Sequence, residues 1–467
     1  MTRTVSSDPG ALRSKIQGAV LCPGDAGFDE ARAIWNGGID RRPAVIAMCR
    51  TADDVAEALH YAGEQGLEVA VRGGGHSYSG ASVVDGGMMI HLGRMNDIRV
   101  DPAAGRVVVG GGATMADMDA ATQEYGLAVT GGVVSHTGVG GLTLGGGMGW
   151  LAHSLGLSID NLAAARVVLA DGRVVRASAA DHADLFWALR GGGGNFGVVT
   201  EFEFRVHPVG PEVHFGMFFW PLEQGAQMLR LARRFVTTLP HRAGMILGVG
   251  LSAPPQDFVP ERYRLMPGHA MMVAGFGSAA EHAALVAPIR TELPPLFEFV
   301  TALPYTALQS LLDDAEPWGV HGYEKALDLD EISDEVIAVL AARVGEKVSP
   351  LSFLPVFVLD GAFSEVGADD TAFGGSRAPH TVCNITAAAP DAETLARDRL
   401  WARETWQALL PYASNSGGYV NFMAESDPDR VRCSYGADKY AKLARIKSAY
   451  DPGNVFHRNI NIRPGTP

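Results

Sequence analysis

The sequence predicts an α+β chain of two domains with a separate closing segment, and three observations carry that reading. Up to about residue 208, helical and strand patterns alternate around three glycine-rich stretches. Beyond Pro208 those stretches stop, and helical patterns such as "LEQGAQMLRLARRFVTTL" alternate with strand patterns such as "MILGVGLS" and "HAMMVAGFG". Near the end, "ADKYAKLARIKSAYDPGNVF" reads as a basic amphipathic helix stopped by Asp-Pro-Gly and followed by "HRNINIRP". The expected divisions are 1–208, 209–410 and 411–467.

From Thr51, "TADDVAEALHYAGEQG" is a helix: Thr51 caps it, acidic residues fill the first turn, and Val55, Leu59 and Ala62 recur at helical spacing. The strand "LEVAVR" follows and runs into "GGGHSYSG", which places His76 directly after three glycines. Strands are expected at "MMIHL", "DIRVD" and "RVVVGG", then a helix at "TMADMDAATQEYG". The second glycine stretch is "GGVVSHTGVGGLTLGGGMG" and the third "GGGGNFG". Valine, leucine, threonine and methionine are interleaved in them, unlike a flexible Gly/Ser linker, so they read as packed loops. Glycine permits positive φ and close backbone approach, and exposed N–H groups in such turns hold a pyrophosphate. A Rossmann reading of "GGGGNFG" fails on context, because the motif precedes the strand "VVTEFEFRV" instead of opening a helix. Three glycine loops in one domain fit a large cofactor threaded between subdomains. No tandem repeat or low-complexity tract is present.

With 467 residues, 47% hydrophobic and only 19% charged, the chain has material for a large core. A net charge of -14 without a Lys/Arg cluster argues against a nucleic-acid partner. The opening "MTRTVSSDPGALRSKIQGAV" has no apolar signal region and no long apolar run follows, so a cytoplasmic location without a membrane partner is expected. Cys22, Cys49, Cys383 and Cys433 are widely spaced with no CxxC, so neither a metal site nor a disulfide framework is expected, and all four read as ordinary buried thiols.

The segments "RGGGHSYSG", "GLAVTGGVVSHTGVGGLTLGGGMGWLAHSLGLSIDNL", "DLFWALRGGGGNFGVVTEFEF" and "YDPGNVFHRNINI" resemble the FAD-linked oxidases of the vanillyl-alcohol oxidase superfamily, berberine-bridge-enzyme-like branch, over almost the whole chain. The resemblance implies a two-subdomain PCMH-type FAD-binding domain, a substrate domain built on an antiparallel sheet, and a tail that returns to the cofactor domain. It implies a bond from His76 to the 8α-methyl carbon of the flavin. Val134 stands where many members carry a second linking cysteine, so a single covalent link is expected. The first loop then contributes Arg72, Gly73, Gly74, Gly75, Ser77 and Gly80 to the cofactor site. The second contributes Ser135, His136, Thr137, Gly138, Gly140, Gly141, Gly145, Gly146 and Gly147, followed by Asp160 and Asn161. Gly197 and Val199 come from the third, and Tyr419, Asn421 and Asn459 from the end of the chain. Val139, small and beside Gly140, is the residue expected to face the reactive carbon and leave room for O2.

"VVSHTG", the single histidyl link and "WNGGIDRRPAVI" are most similar to the polyketide-oxidising Favorskiase branch, which uses a flavin-N5-oxide. Thr137 is there the oxygen-positioning threonine, whereas Gly248 and Pro355 stand where that branch has its active-site tyrosine and glutamate. Tyr323 and Lys325 match a family Tyr-x-Lys segment at the substrate cavity. Candidate bases, in order, are Tyr419, Tyr323, Lys325, Asp360 and His380.

Each assignment has a plainer competitor on the residues alone. His76 is equally a surface-loop histidine. His136 reads as a core histidine satisfied by backbone or as a proton shuttle. Asp160-Asn161 suits a turn. Tyr419, Asn421, Asn459 and Asn461 suit a strand face and a tail turn, and Tyr323 with Lys325 a solvated helix edge. The expected function is an FAD-dependent oxidase or oxygenating enzyme acting with O2 on a small secondary metabolite, as monomer or homodimer. Alternatives are a peroxide-forming oligosaccharide or hexose oxidase, with Trp220, Trp318, Trp401 and Trp406 as unplaced stacking surfaces, and a nonenzymatic flavin-binding module.

Overall fold

The computed structural model describes residues 9–414, 417–425 and 427–465; the opening residues 1–8, part of the stretch read above for a signal region, lie outside them. Thr51 accepts a hydrogen bond from Asp54 N at 3.1 Å and so caps the helix Ala52–Gln65, which Gly66 ends at φ +64°. This helix connects two parallel strands of a four-stranded sheet ordered Ala19–Leu21, Val45–Met48, Met88–His91, Val69–Arg72. A second, five-stranded antiparallel sheet runs Ile98–Asp101, Arg106–Gly110, Val198–Arg205, Leu162–Val168, Val174–Ser178. Thr114 and Asp117 form a reciprocal cap on the helix Met115–Gln123 beside it.

Residues 212–389 supply a seven-stranded antiparallel sheet in the order Phe297–Pro304, Glu212–Pro221, Pro267–Gly275, Ala243–Ser252, Leu354–Leu359, His380–Ala389, His321–Leu329. Successive side chains of a strand face opposite ways, and here the two sets have different partners. Met245, Leu247, Met271 and Val273 pack on the helices Gly225–Val236, Ala279–Glu292, Asp334–Arg343 and Ala392–Leu409. Ile246, Met272 and Phe357 face the other way, toward the first 208 residues. Burying side chains such as Met228 and Leu229 stabilises the helical layer by about 1.5–3 kcal/mol each.

Two local readings are corrected. "HGYEKALDL" is the strand His321–Leu329, not a helix edge, and "GGYVNF" contains a 3₁₀ turn, Val420–Phe422, where alternation pointed to a strand. The four thiols are free, but only Cys49 and Cys383 are buried; Cys22 is half-buried and Cys433 is exposed on the helix Pro428–Tyr435. After the helix Ala437–Tyr450 the chain runs back along the third glycine loop, where Asn195 Nδ2 donates to Ile460 O and Ile462 N donates to Asn195 Oδ1, both at 3.0 Å.

Candidate functional site

A cavity of about 400 Å³ lies where the glycine loops meet the inner face of the seven-stranded sheet. The strand Val69–Arg72 delivers Gly73, Gly74 and Gly75 to its wall, with Gly75 at φ +74°. The first and second loops touch backbone to backbone: a Cβ on Gly74 would lie 2.4 Å from Gly138 N, and one on Gly138 would lie 2.4 Å from Gly74 N. Neither position tolerates a side chain, which is why the glycines pair across the cavity wall. His76 stands at this junction. Its ring stacks on Trp35 at 4.7 Å, and its Nε2 lies 3.0 Å from His136 Nδ1. Burial, then the neighbouring His136, pushes His76 down to about 3, so the imidazole is neutral at physiological pH.

Of the residues singled out in the sequence, Gly73, Gly74, Gly75, His76, Ser77, Val134, Thr137, Gly138, Gly140, Gly141, Gly197, Val199, Asn421 and Asn459 line the cavity, as does Pro355. Asn459 donates to Gly194 O at 2.9 Å while its Oδ1 is buried without a protein partner. An orphaned acceptor on a wall of glycine backbone suits a ligand rich in hydrogen-bonding groups, such as a dinucleotide.

Other expected residues support the wall from behind. Arg72 donates to Ala31 O, and Gly80 O accepts from Arg41. Ser135 N and Oγ both bond Asp313, at 2.7 and 2.5 Å, and tie the second loop to the segment before Glu316. Gly145 and Gly146 make room for Asn421 and for Tyr419 with Phe373, and Gly147 for Ser158, which a Cβ at each position would meet. Tyr419 is buried, and its hydroxyl accepts from Gly147 N and Asn421 Nδ2, both at 2.8 Å. Asp160 forms a buried two-point ion pair with Arg377 at 2.9 and 2.8 Å, and Asn161 bonds Leu155 O, Leu157 O and His207. These two hold a turn away from the cavity.

Val139 also departs from expectation. It is 0% exposed and packs with Val107, Val109 and Phe202 in the core, because the first turn of the helix Val139–Gly145 points it inward. The Tyr-x-Lys reading is off by one residue. On the strand His321–Leu329, Tyr323 and Lys325 face the helical layer, where Tyr323 bonds Glu425 at 2.9 Å and Lys325 lies 4.3 Å from the Trp406 ring. Period-2 geometry therefore sends Glu324, between them, into the cavity. Asp360 caps a 3₁₀ turn and His380 bonds Ala378 O, so none of the five candidate bases lines the cavity. Gly248 does not line it either, Trp220 and Trp401 are buried in the helical layer, and Trp318 is exposed beside His136.

Among the described residues, the ionisable side chains that do line it are His76, Tyr78, Glu316, Glu324, Tyr435 and Arg458. Tyr78, Glu316 and Glu324 went unread in the sequence. Alternation through "HGYEKALDL" was the signal for Glu324; Glu316 lies in a loop and gives none.

The fold, with its cleft between glycine loops and sheet, is that of FAD-dependent oxidoreductases, as comparison with known proteins shows. The family model described as "FAD binding domain" matches residues 43–178, and that described as "Berberine and berberine like" matches 418–463. The chain is 32% identical to (R)-6-hydroxynicotine oxidase of Paenarthrobacter nicotinovorans over 96% of its own length and 97% of that protein's. A crystal structure of 6-hydroxy-D-nicotine oxidase from Arthrobacter nicotinovorans superposes with a TM-score of 0.85 at 28% identity, covering 96% of this chain and 98% of that one. Glucooligosaccharide oxidase of Sarocladium strictum is 27% identical over 94% of this chain and 91% of its own. The chain belongs to the berberine-bridge-enzyme-like family of FAD-linked oxidases.

Proposed function

We propose that the chain is an O2-using oxidase that carries FAD on His76 through a single covalent bond and oxidises a small organic molecule of secondary metabolism. The observation that carries this reading is the position of His76, on the cavity wall at the junction of two glycine loops and clamped between Trp35 and His136. A neutral imidazole is the nucleophilic form that bond formation at the 8α carbon requires. Val134 lines the cavity where a second link would arise, and no cysteine lines it among the described residues.

When bound, FAD supplies hydride acceptance and electron transfer to O2, while the protein supplies position and electrostatics. The loop backbones and Asn459 hold the dinucleotide; Ile246, Met272 and Phe357 form an apolar surface that presses a flat substrate toward the ring and excludes water. Thr137 is the hydroxyl on this wall that supports the oxygenating form of the reading, in which the resting flavin is an N5-oxide. Val139 packs behind this wall, between the lining residues Gly138 and Gly140.

Acid precipitation tests the link. Pelleted parent protein should stay yellow, and His76→Ala should release its flavin to the supernatant. A yellow pellet from that variant would place the attachment elsewhere. A second reading, a peroxide-forming oligosaccharide oxidase, is favoured by Phe353, Phe357 and Phe422, which line the cavity and offer faces for a sugar ring. Peroxide release from sugars in a coupled assay separates the two.

A further inference from the structure

The inner sheet face is apolar at its centre and acidic at one end. Ile246 pairs with both Met272 and Phe357 across neighbouring strands, so the three form a continuous row. Toward the edge strand the lining becomes Asn384, Thr386 and Glu324, with Glu316 and Tyr78 contributed by the loops opposite.

Resting on the oxidase reading, we infer that Glu324 and Glu316 form a recognition point for a protonated amine on an otherwise flat, apolar substrate. Glu324 is 1% exposed and its side chain lines the cavity; its Oε2 accepts from Asn384 Nδ2 at 3.0 Å, while its Oε1 is buried with no protein partner. A buried oxygen left unpaired is costly, and a donor on the ligand relieves that cost. Glu316 Oε2 accepts from the Tyr78 hydroxyl at 2.9 Å and stands near enough to Glu324 to raise its pKa. Burial drives both carboxyls up, Glu316 to about 7, so both hold their protons more readily than free carboxyls, and an ammonium bound beside them would favour the ionised form.

None of the protein's own cations hydrogen-bonds Glu324 or Glu316 among the described residues, although Arg430 is near enough to lower the Glu324 pKa in part. Lys325 sits on the far face over Trp406. Arg430 donates to the carbonyls of Gly417, Glu425 and Ala326. Arg458, on the cavity wall, bonds Glu68 and Val83 O. A sugar suits this face less well, because each buried hydroxyl needs a partner and Ile246, Met272 and Phe357 offer none.

Titration calorimetry of the flavin-loaded protein at neutral pH, with benzylamine, benzyl alcohol and phenylacetate, tests the inference by reading binding without turnover. Benzylammonium should bind about tenfold or more tightly than benzyl alcohol, given a charge-assisted bond to a buried carboxyl that gives up its proton when the ammonium binds. Phenylacetate should bind more weakly than either. Glu324→Gln should bring the amine-to-alcohol ratio near one, and Glu316→Gln should lower it in part. Equal binding of amine and alcohol by the parent, or an unchanged preference in Glu324→Gln, overturns the inference. If Glu324→Gln does not fold, the parent's three-ligand order decides alone. A protein without flavin absorbance fails the oxidase reading; a flavin-loaded protein without amine preference fails only this one.

Discussion

Replacing Lys447 by Met tests what holds the end of the chain against the cofactor loops. Lys447 is 0% exposed, and its Nζ donates to Asn195 O at 2.6 Å, Asp451 Oδ2 at 2.6 Å and Phe456 O at 2.9 Å. One ammonium thus joins the third glycine loop, the stop of the last helix and the tail that carries Arg458 and Asn459 to the cavity. Methionine fills the stem's volume but removes all three bonds. Two carbonyls lose their donor, and Asp451 keeps only the N–H groups of Val455 and Phe456, at 2.8 and 2.9 Å. Breaking one side of a buried ion pair costs about 3–5 kcal/mol. The two remaining N–H donors place this case near the lower end, about 3 kcal/mol. Urea unfolding of the flavin-loaded protein, followed by flavin absorbance, should show an earlier midpoint, and limited proteolysis should cut near 451–457 sooner than in the parent. Adding Asp451→Asn should cost less than the sum of the single changes, because the unpaired charge disappears. A parent-like midpoint with an uncut tail would refute the anchoring role.

Three further substitutions have expected outcomes. Burial raises the Asp119 carboxyl to about 7, well above its unfolded value, so the folded state holds a proton that the unfolded state has released, and stability falls as pH rises from about 4 toward 7. Asp119→Asn should therefore leave the thermal midpoint near the parent's at pH 4 and raise it by several degrees at pH 8; a parent-like midpoint at pH 8 would refute the burial argument. Val139→Leu should lower stability by about 1–3 kcal/mol through overpacking, read by urea unfolding, without slowing flavin reoxidation selectively in stopped flow; Thr137→Val should slow reoxidation while leaving the unfolding midpoint near the parent's.

The cofactor side of the molecule was legible because its constraints are local. A capped helix, a short strand and a run of glycines each leave a mark within a few residues, and Gly74 facing Gly138 shows what such a run is for: two backbones in contact. The supporting roles of Gly145, Gly146 and Gly147 were hidden because their neighbours, Asn421, Tyr419 and Ser158, come in part from nearly 280 residues away. The substrate side was misread for a different reason. Its lining depends on which face of each strand looks inward, and a shift of one residue exchanges Tyr323 and Lys325 for Glu324. Leu327 and Leu329 share the face of Tyr323 and pack in the helical layer, so the apolar residues further along the same strand already fix which way Glu324 points. Had "YEKALDL" been read by alternation, a carboxyl between two helix-facing residues would have stood out as a buried charge requiring a partner. The neighbouring strands supply only Asn384 for one of its oxygens. A sheet that leaves the other oxygen unpaired on a side chain lining a cavity leaves its satisfaction to a ligand, which makes Glu324 the position where substrate choice should be most sensitive to substitution.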